Sequence, residues 1–328
     1  MSELHRFLFD GLPVRGMLVR LTDAWTDILA RRAANTQTGA YPAPVRALLG
    51  EMAAAGVLMQ SNIKFNGALV LQVFGDGPVK LAVVEVQSDL SLRATATVLA
   101  PVPDEARLAA MLNVGGGGRC AITLDPKDRM PGQQPYQGVV PLHGDAGEKL
   151  EDVAEVLQHY MLQSEQLDTV LVLAANDQVA AGLLIQRMPL AGEANLAGST
   201  PTPDEDQIGR NEDYNRIAHL AASLTREELL TLDADTILRR LFWEEKLLRF
   251  EPLQGAQGPR FACTCSRERV RGMLHGLGAA EAEDILAEQG HIEVGCDFCG
   301  QQYRFDAVDA AQIFREAGSQ PPSSSAMQ

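Results

Sequence analysis

Cys263-Thr-Cys265, then thirty residues, then Cys296-Asp-Phe-Cys299: this stretch decides how the rest of the chain is organised. Two close pairs of sulfurs suit a closed tetrahedral zinc site, which takes four thiolates. CxxC is a common zinc-knuckle spacing. CxC is rarer, but residues two apart in an extended strand point the same way, so both sulfurs can face one ion. The candidate ligands are therefore Cys263, Cys265, Cys296 and Cys299, with one Zn2+ per chain. Two other readings compete: two unrelated cysteine pairs, and a thioredoxin-like dithiol. The second is weakened because no βαβ pattern surrounds Cys296. His275 and His291 do not sit at ligand spacing and read as surface or packing residues. Arg267, Arg269 and Arg271 either offset the net −2 of four thiolates around a divalent ion or form a solvated helix face; the sequence leaves both open.

Outward from the cysteines lies a module over 256–318. Val270, Met273, Leu274 and Leu277 share one helical face, and 281–289 reads as a second helix stopped by Gly290. The Pro/Ser-rich tail 319–328 reads as disordered. A structural zinc contributes about 10–16 kcal/mol in small peptides. The core of so small a module supplies only about 3–5 kcal/mol. Removing the metal is expected to unfold it. Thiolates can also be oxidised, and disulfides do not hold zinc in the same way. The site is a redox-controlled clamp or a passive staple, and spacing does not decide between them.

Upstream, 1–190 mixes strands with few helices, as in an α+β domain with a largely antiparallel sheet. Tyr41-Pro-Ala-Pro44 opens a helix whose apolar face carries Val45, Leu48, Leu49, Met52 and Met59. Segments 68–74 and 79–86 form a hairpin about Gly75-Asp-Gly77. Further strands are expected at 92–99, 121–124, 136–142, 169–173 and 180–188. Leu150, Val153, Leu157, Tyr160 and Met161 recur at helical spacing. A flexible segment over 190–210 then leads into a helical linker, the two together spanning 191–255. Its stripes are Ile217/Leu220/Ala221/Leu224 and Ile237/Leu238/Leu241/Phe242. Thr225-Arg-Glu-Glu228 is a capping box, and Asp233 is a further cap.

The whole-chain numbers narrow the function. At 328 residues about two domains are expected. The 46% hydrophobic content excludes whole-chain disorder. A formal net charge of −15 argues against nucleic acid and anionic lipid as partners. The apolar runs 52–63 and 169–175 fall short of the roughly 20 residues that cross a bilayer. The first sixteen residues lack a signal-peptide core, so the chain is read as cytoplasmic, with no membrane partner. Four of the five cysteines crowd the last quarter, which in a cytosolic chain points to metal or redox chemistry. The fifth, Cys120, reads as buried and inert. Gly115-Gly-Gly-Gly118 lacks the rest of a phosphate loop and reads as a turn. No catalytic set stands out, so no enzyme is expected.

Several motifs resemble the redox-regulated heat shock protein 33 chaperone family along nearly the whole chain. They are His5-Arg-Phe-Leu-Phe9 with Val14-Arg-Gly16, Gly75-Asp-Gly-Pro78, Tyr136-Gln-Gly-Val-Val140, Ser164-Glu-Gln-Leu167, Glu227-Glu-Leu-Leu230, and the zinc motifs Cys263-Thr-Cys-Ser-Arg-Glu-Arg269 and Cys296-Asp-Phe-Cys-Gly300. The resemblance implies an ATP-independent holdase that is inactive while reduced and zinc-loaded. It implies that oxidation forms the disulfides Cys263–Cys265 and Cys296–Cys299, releases zinc, and unfolds the C-terminal module and the linker. Active family members are dimers. The linker stripes Ile217/Leu220/Leu224 and Ile237/Leu241/Phe242 are expected to pack on the N-terminal sheet at rest and then serve as client surface, or uncover it. The competing functions are a zinc-stapled binding protein without redox switching, for which the basic patch Arg267/Arg269/Arg271 speaks, and a thiol-disulfide oxidoreductase. The expected architecture is thus α+β: an N-terminal chaperone core (1–190), a flexible segment and helical linker (191–255), a small zinc-binding redox-switch domain (256–318) and the tail (319–328).

Overall fold

A hairpin of two strands, β1 (Glu3–Phe9) and β2 (Val14–Leu21), opens the chain and is followed by helices α1 (Asp23–Ala34) and α2 (Ala43–Asn62). Then come β3 (Gly67–Phe74), β4 (Val79–Gln87), β5 (Ser91–Val98), α3 (Leu108–Leu112), β6 (Arg119–Pro126), β7 (Tyr136–Pro141), α4 (Val153–Glu165), β8 (Thr169–Ala175) and β9 (Ala180–Arg187). Three helices follow, α5 (Glu212–Ala222), α6 (Arg226–Thr231) and α7 (Ala234–Phe242), and three short strands, β10 (Leu247–Arg249), β11 (Leu253–Gln254) and β12 (Arg260–Phe261). The last elements are α8 (Arg267–Leu277), α9 (Ala279–Gln289), β13 (Ile292–Gly295), β14 (Gln302–Phe305) and α10 (Ala307–Ala317). This computed structural model describes residues 1–35, 38–128, 132–188 and 212–317. The flexible segment expected at 190–210 and the tail at 319–328 lie outside the described residues. The chain forms two compact units, Met1–Ala262 and Cys263–Gln328.

The first unit holds two six-stranded sheets where one was expected. One runs β10-β1-β2-β9-β8, with β11 also on β1; the other runs β12-β5-β4-β3-β6-β7. Pairing among the described strands is antiparallel except between β12 and β5. The β3–β4 hairpin forms as its sequence predicts, with Ala68 opposite Gln87 and Phe74 opposite Leu81.

Helix α2 explains why two sheets form one core. Val45, Leu48, Leu49, Met52, Val57 and Leu58 are all buried, on more than one face. They join Met17, Val19 and Leu184 of the first sheet to Leu69, Leu71, Val84 and Val86 of the second. A helix apolar this far round is a central helix. Gly50 lets it approach closely: a Cβ there would lie 2.4 Å from the Cβ of Ala175. Pro44 starts the helix, where its missing N–H costs nothing.

The second unit is small. Its buried apolar cluster is Leu274, Ala282, Ile292, Phe305 and Ile313, drawn from α8, α9, α10 and the β13–β14 hairpin. The expected apolar face of α8 is narrower than its sequence suggests. Leu274 is buried and Val270 packs beside it, but Met273 and Leu277 are 54% and 51% exposed. A core of this size covers only a thin stripe of the helix. Gly290 ends α9 in the left-handed region, at φ 73°, as expected of a C-terminal glycine.

Candidate metal centre and linker helices

The four sulfurs of Cys263, Cys265, Cys296 and Cys299 all lie within 4.8 Å of one another. Cys263 and Cys296 are 3.6 Å apart, and Cys265 and Cys299 3.3 Å. A tetrahedron with zinc–sulfur bonds of about 2.3 Å has sulfur–sulfur edges of about 3.8 Å, so the spacing suits one small cation. Local structure sets this geometry. Cys263 and Cys265 lie just ahead of α8, whose start is fixed by the Ser266 hydroxyl accepting from the Arg269 amide at 3.2 Å. Cys296 and Cys299 occupy the turn between β13 and β14. There the Gly300 amide donates to the Cys296 carbonyl at 2.8 Å, and Gly300 takes a φ of 72°.

Hydrogen bonds also reach the sulfurs. The amides of Phe298 and Cys299 face the Cys296 sulfur, and the Gln301 amide faces that of Cys299. The Tyr303 hydroxyl donates to Cys265 Sγ at 3.2 Å. That bond, above all, pushes the phenol up to about 12, so it stays a donor. Burial, above all, pushes the Cys296 and Cys299 thiols up. Burial thus disfavours the charged form of these two sulfurs, and a divalent cation reverses that preference. The donor set therefore fits a metal that favours soft ligands, zinc among them.

The surrounding cations brace the unit. Arg267 donates to the Arg304 carbonyl and to Asp309, both at 2.8 Å, and lies 4.2 Å over the Phe305 ring. It ties α8 to β14 and α10. Arg269 reaches Thr264, between the first two cysteines, at 2.6 Å. His275 stacks on Phe314 and His291 lies 3.7 Å from Glu293, so neither histidine belongs to the sulfur group.

In the first unit, α5, α6 and α7 cover the outer face of the first sheet. Ile217, Leu224, Ile237, Leu241 and Phe242 share a buried cluster with Phe7, Phe9, Leu18, Leu183 and Ile185; Leu220 is half-buried against it. Phe242 meets Phe9 edge-on, ring centres 5.1 Å apart. The local signals hold: Thr225 and Glu228 form the full capping box, and Asp233 caps α7 by accepting from the Thr236 amide. Two arginines add a clamp. Arg20 of β2 donates to the Leu229 carbonyl at 2.6 Å and that of Leu230 at 3.3 Å. Arg226 pairs with Glu51 of α2 at 2.9 Å and also bonds the Ala175 carbonyl.

A family model described as Hsp33 protein matches residues 2–306. The chain belongs to the Hsp33 chaperone family. It is 46% identical over 313 residues to the 33 kDa chaperonin of Chromobacterium violaceum, covering 95% of this chain and 94% of that protein. It is 42% identical over 313 residues to the 33 kDa chaperonin of Neisseria meningitidis serogroup A, covering 95% and 91%. The crystal structure of the 33 kDa chaperonin of Thermotoga maritima shares the fold, with a TM-score of 0.70 at 20% identity, over 97% of this chain and 99% of that one.

Within this Hsp33 chain, the sequence places all four cysteines in one group and puts every linker stripe against the sheet. It does not reveal Tyr303, Arg20 or Glu51 as partners of those parts. The available signal for Tyr303 was slight: an aromatic with a polar tip, on a strand just past Cys299. No helix among the described residues is long and apolar enough to cross a membrane.

Proposed function

We propose that this chain is a redox-regulated, ATP-independent holdase that is idle when reduced and binds unfolding proteins when oxidised. The observation carrying this reading is the oxidisable four-sulfur group inside a unit whose own apolar cluster is so small. A bound Zn2+ would keep Cys263, Cys265, Cys296 and Cys299 as thiolates and supply most of that unit's stability. At each pair one peroxide takes two electrons and leaves as two waters, so two peroxides form Cys263–Cys265 and Cys296–Cys299. In the reduced fold the 3.6 and 3.3 Å contacts run across the two motifs. Peptide mapping of the oxidised chain is therefore informative: bonds within each motif are expected, and cross-motif bonds would contradict the pairing.

Unfolding of the second unit then loosens the path back to α7. That path is β10, β11 and β12, strands of three, two and two residues. Such short edge strands carry few ladder hydrogen bonds and open at low cost. Release of α5 to α7 uncovers Phe7, Phe9, Leu18 and the linker stripes Ile217, Leu220, Leu224, Ile237, Leu241 and Phe242 as client surface. The active form is a homodimer in the cytoplasm, and the −15 charge helps keep a client-loaded complex dispersed. Light scattering from a heat-unfolded client tests the reading. Peroxide-treated protein is expected to suppress aggregation, with reduced protein inactive; equal suppression by both forms would refute redox control.

A further inference from the structure

Hydrogen bonds reach the sulfur group from backbone amides and from a side chain. Those to Cys296 and Cys299 come from backbone amides of their own turn. Cys265 Sγ, besides its contact with Cys299 Sγ, accepts from a side chain, the Tyr303 hydroxyl at 3.2 Å. Tyr303 lies on β14, opposite Val294 of β13, and is half-buried against the unit's apolar cluster. It therefore reaches from the hairpin of the second cysteine pair to a sulfur of the first. A hydroxyl directed at a thiolate draws electron density from sulfur and makes it a poorer nucleophile.

We propose that Tyr303 is a positioning residue that brakes oxidation of Cys265 and so sets the oxidant threshold of the switch. This rests on the redox reading above. In the step concerned, the Cys265 thiolate attacks a peroxide oxygen and the O–O bond breaks. Sulfur becomes a sulfenic acid, and the departing hydroxide takes a proton to become water. A neighbouring thiolate attacks the sulfenic sulfur, forming the S–S bond and expelling a second hydroxide. The sulfur pair loses two electrons and the peroxide gains two. The sulfur that attacks is the one Tyr303 engages, so the hydroxyl withdraws electron density from the nucleophile of the first step.

The test uses the full-length, zinc-loaded, reduced chain and its Tyr303→Phe variant. Peroxide-driven thiol loss and zinc release are expected to be roughly tenfold faster in the variant, the scale of losing one hydrogen bond to a charged group. Zinc loss to a chelator without oxidant is expected to be no faster than native, because a sulfur relieved of the hydrogen bond donates more strongly to the metal. With Co2+ in place of zinc, the thiolate-to-metal charge-transfer band is expected to move to longer wavelength. A peroxide rate matching the native chain overturns the proposal, and so does equal acceleration by chelator alone, which would mean loosened packing. Replacing tyrosine throughout by 3-fluorotyrosine, a stronger donor, covers a Phe variant that holds no metal. Slower oxidation is then expected, and an unchanged or faster rate overturns the proposal. A native chain that holds no zinc fails the redox reading itself, whereas a native switch indifferent to Tyr303 fails only this inference.

Discussion

At Cys120 the thiol is enclosed in the sheet core, and burial alone pushes it from its ordinary 9.0 up to about 12. It carries no thiolate at neutral pH, so Cys120→Ser is expected to leave peroxide-driven thiol loss at the other four cysteines unchanged; a lost switch would contradict this. The pH sign follows from the raised value. Between about 9 and 12 the unfolded chain gives up this proton and the folded chain keeps it. Native stability relative to Cys120→Ser therefore falls with rising pH, by about 1.4 kcal/mol per pH unit in that window. Denaturant unfolding of both chains across pH 8–11 checks it. Cys296→Ser is expected to weaken metal binding sharply, and undiminished affinity by competition with a chromophoric chelator would remove Cys296 from the ligand set. At this scale the cysteines were legible because each pair is local in sequence. Tyr303 was not, because its partner lies 38 residues away and only the fold brings the two together.

Among the elements, α7 shows how a short helix is held. Asp233 caps its start, and Ile237, Leu238, Leu241 and Phe242 all face the sheet. Phe242→Ala removes the ring that packs on Phe7 and Phe9. A loss of about 3–5 kcal/mol is expected for a buried aromatic of this kind. Hydrogen exchange should quicken across α5 to α7 in the reduced chain, with partial holdase activity before any oxidant. Unchanged exchange there would show that the helices do not depend on this contact. These helices were readable from stripes and caps. The opening hairpin was not: β1 is buried on both faces, Leu4 entering one core and Phe7 and Phe9 the other, so no alternation marks it. Strands β10 to β12 are too short to carry a pattern, and their pairing is decided by the sheets they join.

Over the whole molecule, stability is distributed unevenly. The first unit has two sheets closed over α2, while the second relies on a minimal cluster and four sulfurs. Metal removal under reducing conditions is expected to abolish the helices α8 to α10 while β3, β4 and β9 keep their exchange protection. Retained helices after stripping would make the sulfur group a bystander. Length points to two domains and the strand-rich pattern to an α+β class, but the second sheet is not legible in the sequence because strand order is a tertiary property. The most direct measurement is hydrogen exchange over 212–242, followed through a peroxide titration of the zinc-loaded chain alongside zinc release. The account predicts that protection of α5 to α7 falls on the same curve as zinc leaves. Full protection of these helices after all zinc has gone would contradict it.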